Sequence, residues 1–247
     1  MKLRFGVFGL LASASICFLI APGAKAQSEP SNVGLSRVGL GVSVGTLGPG
    51  VEAAYEISPR FNLRGGFNYF SYGANFATDG INYGGSFKLE SGEVHLDYFL
   101  WRSLHVSPGL LFAPQNLLTA SMNVPTGETF TLAGTQYTSG STPVAGQAAL
   151  KFNSVAPSIL FGFGNLVPRG ERRFSFSFEV GGAFRGSPTV LMNFAGSVCD
   201  PTGANCQSIS TFPGFQGSVT AQQIKFQNDI SFLKFYPMVS IGFGLKL

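Results

Sequence analysis

The sequence predicts an all-β fold, an eight-stranded antiparallel up-and-down transmembrane β-barrel. Three observations lead to this prediction. The last thirteen residues, from Phe235 to Leu247, alternate between apolar side chains and small or polar ones, as a strand does between lipid and an enclosed interior. The amino terminus has the layout of an export signal. Between these ends the apolar residues are interleaved with polar ones, and no run approaches the ~18 continuous apolar residues of a spanning helix.

The first 26 residues are predicted to be a cleaved signal peptide. They begin with the charged Lys2 and Arg4, continue with an apolar stretch, and end with the small residues of an A-x-A cleavage site before Gln27. The chain is therefore expected to consist of a signal peptide, 1–26, and one outer-membrane domain, 27–247.

The composition of the chain agrees with a membrane-embedded barrel. Charged residues make up 11% of it, against about 25% in typical soluble domains. Lipid admits only helices and closed barrels, because an unpaired backbone group in hydrocarbon costs several kcal/mol. Once the signal peptide is removed, 13 basic and 12 acidic residues remain, a balance that gives no reason to expect nucleic-acid binding. The alternative fold, a soluble secreted β-sandwich, would expose apolar strand faces to water.

The alternating segments define eight strands and the connections between them. The predicted strands lie within 36–46, 51–57, 61–72, 85–101, 104–113, 148–164, 174–181 and 235–247. Connections after strands two, four and six are short, whereas 73–84, 114–147 and 186–222 are long loops. This asymmetry is expected of short periplasmic turns and long outer loops. The last strand must then pair with the first to close the barrel.

Two local features of the strand pattern are less regular. Phe87 and Leu89 have the opposite parity to the apolar residues that follow Gly92, which predicts a β-bulge there. Residues 223–234 fit either a strand extension or a short helix and stay unassigned.

The cysteines indicate an oxidising compartment. Cys199 and Cys206 flank an Asp-Pro-Thr-Gly turn that brings the two thiols together, so we expect a loop disulfide. No histidine or further cysteine is near, which argues against a metal site, and no motif indicates a cofactor. Cys17 lies in the apolar part of the signal peptide, and we interpret it as part of that peptide rather than a lipid attachment site.

Together the signal, the alternating strands and the terminal strand resemble the small bacterial outer-membrane barrels of the OmpA/OmpW/OmpX type. The resemblance covers the whole mature chain and rests on pattern. It implies a monomer held in outer-membrane lipid, whose last strand is recognised by the barrel-assembly machinery. Ile241, Phe243 and Leu245 fit that strand, whereas Leu247 departs from the aromatic residue that commonly ends it.

Most of the strand charges fall on the predicted inward faces. We identify a candidate network in the barrel interior that consists of Glu52, Glu56, Arg64, Glu93, His95, Asp97 and Glu179. Because eight strands enclose little more than side chains, we interpret these groups as a salt-bridged plug. The alternative interpretation is a constricted pore lined by the same groups.

The tripeptide His105-Val106-Ser107 offers a weak catalytic alternative. Lipid A deacylases of the outer membrane carry a His-x-Ser pair, in which the histidine acts as base to the serine hydroxyl. Glu93 or Glu179 would orient the histidine. The Asn that follows the serine in that family is replaced by Pro108, and parity points His105 and Ser107 inward, away from lipid.

The sequence thus favours a structural, adhesive or surface-interaction role without catalysis. A narrow passive channel for small or hydrophobic solutes is the second hypothesis, and a deacylase-like enzyme is the third. The expected partners are outer-membrane lipid and the assembly machinery, and no surface ligand is selected by the sequence.

Overall fold

A computed structural model describes residues 35–113 and 117–247, and the predicted signal peptide lies outside them. The described chain is all-β with a single α-helix, and all of its strand pairings are antiparallel, which confirms the all-β, antiparallel part of the predicted fold class. No helix in these two segments is long and apolar enough to cross a membrane.

The structure contains fifteen strands in its described part. Their bounds are β1 Val38–Gly45, β2 Gly48–Ser58, β3 Phe61–Thr78, β4 Ile81–Phe99, β5 Leu104–Phe112, β6 Leu117–Val124, β7 Thr129–Leu132, β8 Thr135–Ser139, β9 Val144–Lys151, β10 Val155–Phe163, β11 Phe174–Phe184, β12 Thr189–Ala195, β13 Ser197–Cys199, β14 Gln207–Ser208 and β15 Phe235–Lys246. A 3-10 helix, Leu35–Arg37, precedes β1, and the helix α1 spans Phe215–Asp229.

Eight strands form a closed ring. Their order around it is β4, β3, β2, β1, β15, β11, β10 and β5, and β5 pairs back to β4. The terminal strand closes this ring as the sequence predicts, with Lys246 opposite Gly39 and Ser240 opposite Gly45. Every ring strand therefore has two hydrogen-bonded neighbours, so no edge is left open around the ring.

The two faces of the ring differ as the period-2 pattern predicts. Large apolar side chains point outward and are exposed, among them Leu40, Val42, Val51, Leu63, Phe67, Val94, Leu110, Phe161, Phe178, Val239 and Phe243. The inward positions carry glycine, serine, asparagine and the charged residues. Soluble proteins rarely expose continuous apolar surface of this extent.

On one side of the ring the sheet continues beyond it. Residues Asn82–Lys88 of β4 pair with β6, whereas Gly92–Phe99 pair with β5, so β6 follows the line of β5 along the same strand. Beyond β6 come β9 and then β12. The result is an open sheet of five strands, which we call the upper sheet, built on the far halves of β3 and β4.

The upper sheet corrects several predictions. The expected loop 73–84 is wrong, because β3 and β4 continue to a tight turn at Asp79 and Gly80, both with positive φ (50° and 75°). The predicted strand 148–164 is two strands, interrupted at 152–154. The expected bulge at Gly92 is also wrong, since β3 and β4 stay in one register from Ile81 to Tyr98.

The loops expected at 114–147 and 186–222 also contain regular structure. They supply β6 to β9 and β12 to β14, and β14, β13, β8 and β7 form a second, four-stranded sheet. We call 117–151 together with 189–229 the surface lobe. Its buried apolar cluster packs against Ile81 of β4 and consists of Val124, Phe130, Leu132, Tyr137, Val144, Val198, Ile209, Phe215 and Val219. The predicted disulfide between Cys199 and Cys206 is confirmed in this lobe.

A hydrogen-bonded loop accompanies the disulfide. The Asp200 carboxylate accepts hydrogen bonds from the backbone N–H groups of Thr202 and Ala204 and from the side chains of Thr202 and Asn205. These bonds favour the ionised form and lower the pKa of Asp200 to about 2.

The ambiguous segment 223–234 contains the end of α1, whose glutamines cover the last strand of the upper sheet. Gln223 Nε2 donates to the Val190 carbonyl at 2.8 Å, and the Val190 N–H donates to Gln227 Oε1 at 3.0 Å. These side chains replace the missing neighbour strand of β12, an edge that would otherwise be open to another chain.

The core of the lobe depends on the aromatic ring of Phe215. This side chain is fully buried and contacts Phe130, Tyr137 and Phe194 with ring centroids 5.0–6.4 Å away. We expect Phe215→Ala to destabilise the lobe by about 3–5 kcal/mol, because it leaves a cavity. Hydrogen exchange should show the loss of protection in the lobe, with the ring strands unchanged.

A matched control lies on the same helix. Phe226 is 43% exposed, so Phe226→Ala should change stability by no more than about 0.5 kcal/mol. Equal losses of protection in the two variants would contradict the described packing.

Candidate functional site in the ring interior

The interior of the ring is filled by three layers of side chains. Toward the surface lobe lies an apolar layer that includes Leu47, Leu111, Leu160 and Met238. The middle layer is ionic. At the end with short connections, Leu166 and Val167 pack against Ala54.

The middle layer is organised by the guanidinium group of Arg64 on β3. Its Nε donates to Asp97 Oδ2 at 3.2 Å, and its two terminal nitrogens donate to both oxygens of Glu179, one of them at 2.9 Å. A third carboxylate, that of Glu52, lies 3.3 Å away. Since β11 lies across the ring from β3, the Arg64–Glu179 pair joins opposite walls. All four groups are nearly buried, so the pairing offsets a large desolvation cost.

Polar residues hold these carboxylates in place. Ser107 donates to Asp97 Oδ1 at 2.7 Å, and His105 Nε2 lies 3.0 Å from Glu179 Oε1. Further toward the lobe, Asn68 donates to Glu93 at 3.2 Å. The ionic layer is therefore a connected network rather than a set of separate pairs.

The structure brings most of the predicted network residues together. Glu52, Arg64, Asp97 and Glu179 are in direct contact. Glu93 and His95 lie beside them, with Glu93 Oε2 3.9 Å from His95 Nδ1. Glu56 is half-buried, lies two residues before the end of β2 at Ser58, and forms none of the ion pairs of the described chain.

Sequence reasoning missed several residues that complete the interior. Ser158 lies 3.0 Å from His95 Nε2, and Asn62 donates to Asn165 Oδ1 at 2.9 Å. Asn62 and Asn68 are an even number of residues from Arg64 on the same strand, so the alternation of the strand could have predicted that they point inward. The inward fold of 164–168 was not predicted, because the sequence indicates only a turn near Pro168.

Three glycines make room for the inward segment. A Cβ atom at Gly41 or Gly244 would overlap the side chain of Leu166. The carbonyl of Leu166 similarly excludes a side chain at Gly39. These inward glycines allow a turn segment to enter the mouth of the ring.

His105 and Ser107, the residues of the catalytic alternative, do not form the contacts that a His-x-Ser catalytic pair requires. His105 and Ser107 both point inward and are buried, as their parity predicts. The Ser107 hydroxyl donates to Asp97, and the His105 ring is directed at Glu179. In this arrangement the serine hydroxyl is engaged by a carboxylate instead of by the histidine that would act as its base.

One trio in the network has the spacing of metal ligands. Asp97, His105 and Glu179 each offer a ligand atom, and these atoms lie within 4.8 Å of one another. Arg64 already donates to both carboxylates. A positive guanidinium thus occupies the position in which a cation would be bound, and the two would compete.

Very little free volume remains among these layers. The cavity beside Arg64, Asp97 and Glu179 measures about 10 Å³, and the one beside Asn68 and Glu93 about 20 Å³. Each is at most about the size of one water molecule.

The sequence has no match to a protein-family model or to a curated protein. Two crystal structures from Acinetobacter baumannii have a similar fold. CarO2 is 22% identical with a TM-score of 0.53, and the match covers 85% of this chain and 98% of that chain. CarO is 23% identical with a TM-score of 0.50, and the match covers 85% of this chain and 97% of that chain. This likeness establishes the fold alone.

Removing the central cation should destabilise the ring strongly. In Arg64→Met the carboxylates of Asp97 and Glu179 are left buried without their partner, which we expect to cost about 3–5 kcal/mol. Urea unfolding of the detergent-solubilised protein, followed by gel migration and fluorescence, measures the change.

Arg60→Met is the matched control, since Arg60 is exposed in the turn between β2 and β3 and its side chain has no ion pair within the described chain. The triple variant Arg64→Met/Asp97→Asn/Glu179→Gln should recover part of the loss, because it removes two of the three carboxylate charges that Arg64 pairs with and leaves only that of Glu52. An unfolding midpoint for Arg64→Met equal to that of Arg60→Met would contradict the assigned role.

Proposed function

We propose that this chain is an integral outer-membrane β-barrel protein with a closed interior, whose surface lobe mediates an interaction at the cell surface without catalysis. The observation that carries the proposal is the contrast between the filled interior of the ring and the surface lobe. The ring is filled by an ionic plug, whereas the long connections build an ordered lobe with clefts on its sheet.

The outward side chains support a position in a membrane. Along β3 they are apolar from Phe61 to Tyr69 and then become Ser71, Gly73 and Asn75. The nine residues of the apolar part agree with the ~9–11 residues of a tilted spanning strand. Along β4, the outward row likewise changes from Val94 and neighbouring apolar residues to polar ones beyond Gly92. The first polar residues of the two rows, Ser71 and Glu90, are two residues apart in register, and we interpret this change as the boundary between lipid and water.

Connection lengths support an orientation in this membrane. The β2–β3, β4–β5 and β10–β11 connections lie at the end of the ring where Leu166 enters, and the lobe lies at the other end, which also carries the tight β1–β2 and β3–β4 turns. In bacterial outer-membrane barrels, short turns face the periplasm and long connections face outward. The lobe is accordingly assigned to the cell surface.

The lobe offers recessed surfaces for a ligand or partner. One cleft of about 520 Å³ lies between β3, β4, β6 and β9 and is lined by Asn75, Tyr83, Met122 and Gln147. A second of about 370 Å³ is lined by residues of β6, β9 and β12, including Leu191 and Asn193. Mixed polar and apolar linings of this size suit a small ligand.

Cellular location provides the first test. The mature protein should fractionate with the outer membrane and migrate differently on gels before and after heating, because a closed barrel resists detergent unfolding. Recovery in the soluble periplasmic fraction, with no effect of heating, would contradict the proposal.

A narrow channel is the second candidate function, because charged groups span the ring. Current recording in planar bilayers distinguishes this channel from a closed barrel. The unaltered protein should give no unitary current steps, since the cavities in the plug hold at most one water molecule each. Arg64→Ala/Leu160→Ala/Leu166→Ala, which shortens a side chain in each of the three layers, should introduce measurable steps. Steps from the unaltered protein that change in Arg64→Ala would favour the channel instead.

A further inference from the structure

Charge is distributed unequally between the two ends of the molecule. The end with short connections carries the basic residues Arg37, Arg60, Arg102, Arg169, Arg172, Arg173 and Lys246. Among the described residues, the acidic ones at this end are Glu171 and the half-buried Glu56. Beyond the ring, on the lobe side, the charges balance: Lys88, Lys151, Arg185, Lys225 and Lys234 accompany Asp79, Glu90, Glu128, Asp200 and Asp229. The short-turn end therefore has a positive field of its own.

Three of these arginines line a cleft of about 820 Å³. Arg102 enters it from the β4–β5 turn, and Arg169 and Arg172 enter from the β10–β11 connection. The two connections are tied together by a hydrogen bond from the Gly164 N–H to the Ser103 carbonyl at 2.8 Å. The guanidinium of Arg169 stacks 5.1 Å from the Phe99 ring, which holds it at the mouth of the ring.

Within the described chain, no carboxylate pairs with any of the three arginines. All are exposed. Guanidinium groups that converge on a cleft without carboxylates suit a phosphate, which they bind through paired N–H donors.

Apolar rings on the outer face border the same cleft. Phe163, Phe174 and Phe176 line it and are exposed. Trp101, the single tryptophan of the chain, immediately precedes Arg102 and is 77% exposed. Cationic groups next to exposed aromatic rings match an amphiphile whose headgroup is anionic and whose chains continue along the apolar face.

We propose that this cleft binds the headgroup of an anionic phospholipid in the periplasmic leaflet. The proposal rests on the membrane position and orientation given under the proposed function. A zwitterionic phospholipid also carries a phosphate, but its ammonium group cancels the net charge that the three arginines attract. The cleft should therefore prefer phosphatidylglycerol over phosphatidylcholine.

Trp101 is a built-in reporter for this preference. The full mature protein is reconstituted into phosphatidylcholine vesicles that contain increasing fractions of a phosphatidylglycerol brominated near the headgroup end of its chains. Bromine quenches tryptophan on contact, so quenching reports the lipid beside Trp101. We expect an apparent preference of about tenfold over equally brominated phosphatidylcholine, which falls as salt is added.

Matched variants assign the preference to the cleft. Arg102→Gln/Arg169→Gln/Arg172→Gln should abolish it, whereas the same positions changed to Lys should retain part of it. Lys151→Gln/Lys225→Gln/Lys234→Gln removes the same charge from the lobe side and should leave the preference unchanged. Gel migration before and after heating verifies that each variant is folded.

Other outcomes would overturn the proposal in distinguishable ways. Equal quenching by the two brominated lipids, in a protein that still shows heat-dependent migration, would reject the lipid site and leave the barrel proposal intact. Absence of quenching by either lipid, together with no effect of heating, would reject the membrane position itself. If millimolar inorganic phosphate removed the preference, the cleft would be a site for the free ion instead of the lipid.

Discussion

The rest of the ring depends on the ion pairs between Arg64 and the carboxylates around it. Eight strands enclose a space that admits side chains and very little water, so a charge placed inside has to find its partner within the protein. Arg64 reaches Glu179 across the ring and Asp97 on the adjacent strand. The network thereby fixes the relative positions of strands that are far apart around the sheet. It also explains why a chain with few charges keeps several of them in its most enclosed region.

The ring strands were predictable from sequence because each has lipid-type side chains on one face and small or polar ones on the other. The same parity placed Arg64, Asp97 and Glu179 inside, although it could not show that they converge on a single guanidinium. The upper sheet was missed for a physical reason. Its outer face carries Asn82, Ser121 and other polar residues. The outer positions are therefore not apolar as they are in the ring strands, and the sequence pattern predicted loops for these segments.

Tertiary contacts decided the remaining ambiguities. In α1, Gln223 and Gln227 are one helical turn apart and meet the backbone of β12, a relation invisible until the partner strand is known. The reversed parity at Phe87 and Leu89 has a different cause from a bulge, because the strand is regular there. Leu89 points inward at the lobe end of the ring, where the interior side chains are apolar. The entry of Leu166 into the ring similarly depends on glycines distant in sequence, Gly41 and Gly244.

The glutamine-covered edge of β12 has a consequence for self-association. An open sheet with two free edges can add copies at both sides and grow without limit. Here one edge is occupied by α1, and the other, residues 71–78 of β3, has no strand neighbour in the described chain. Strand pairing between copies would be confined to β3 against β3 about a twofold axis, a contact that uses the same edge of both molecules and stops at two. Because α1 caps the backbone of β12 at Val190, the fold favours this closed pair over fibre growth through the upper sheet while α1 stays in place.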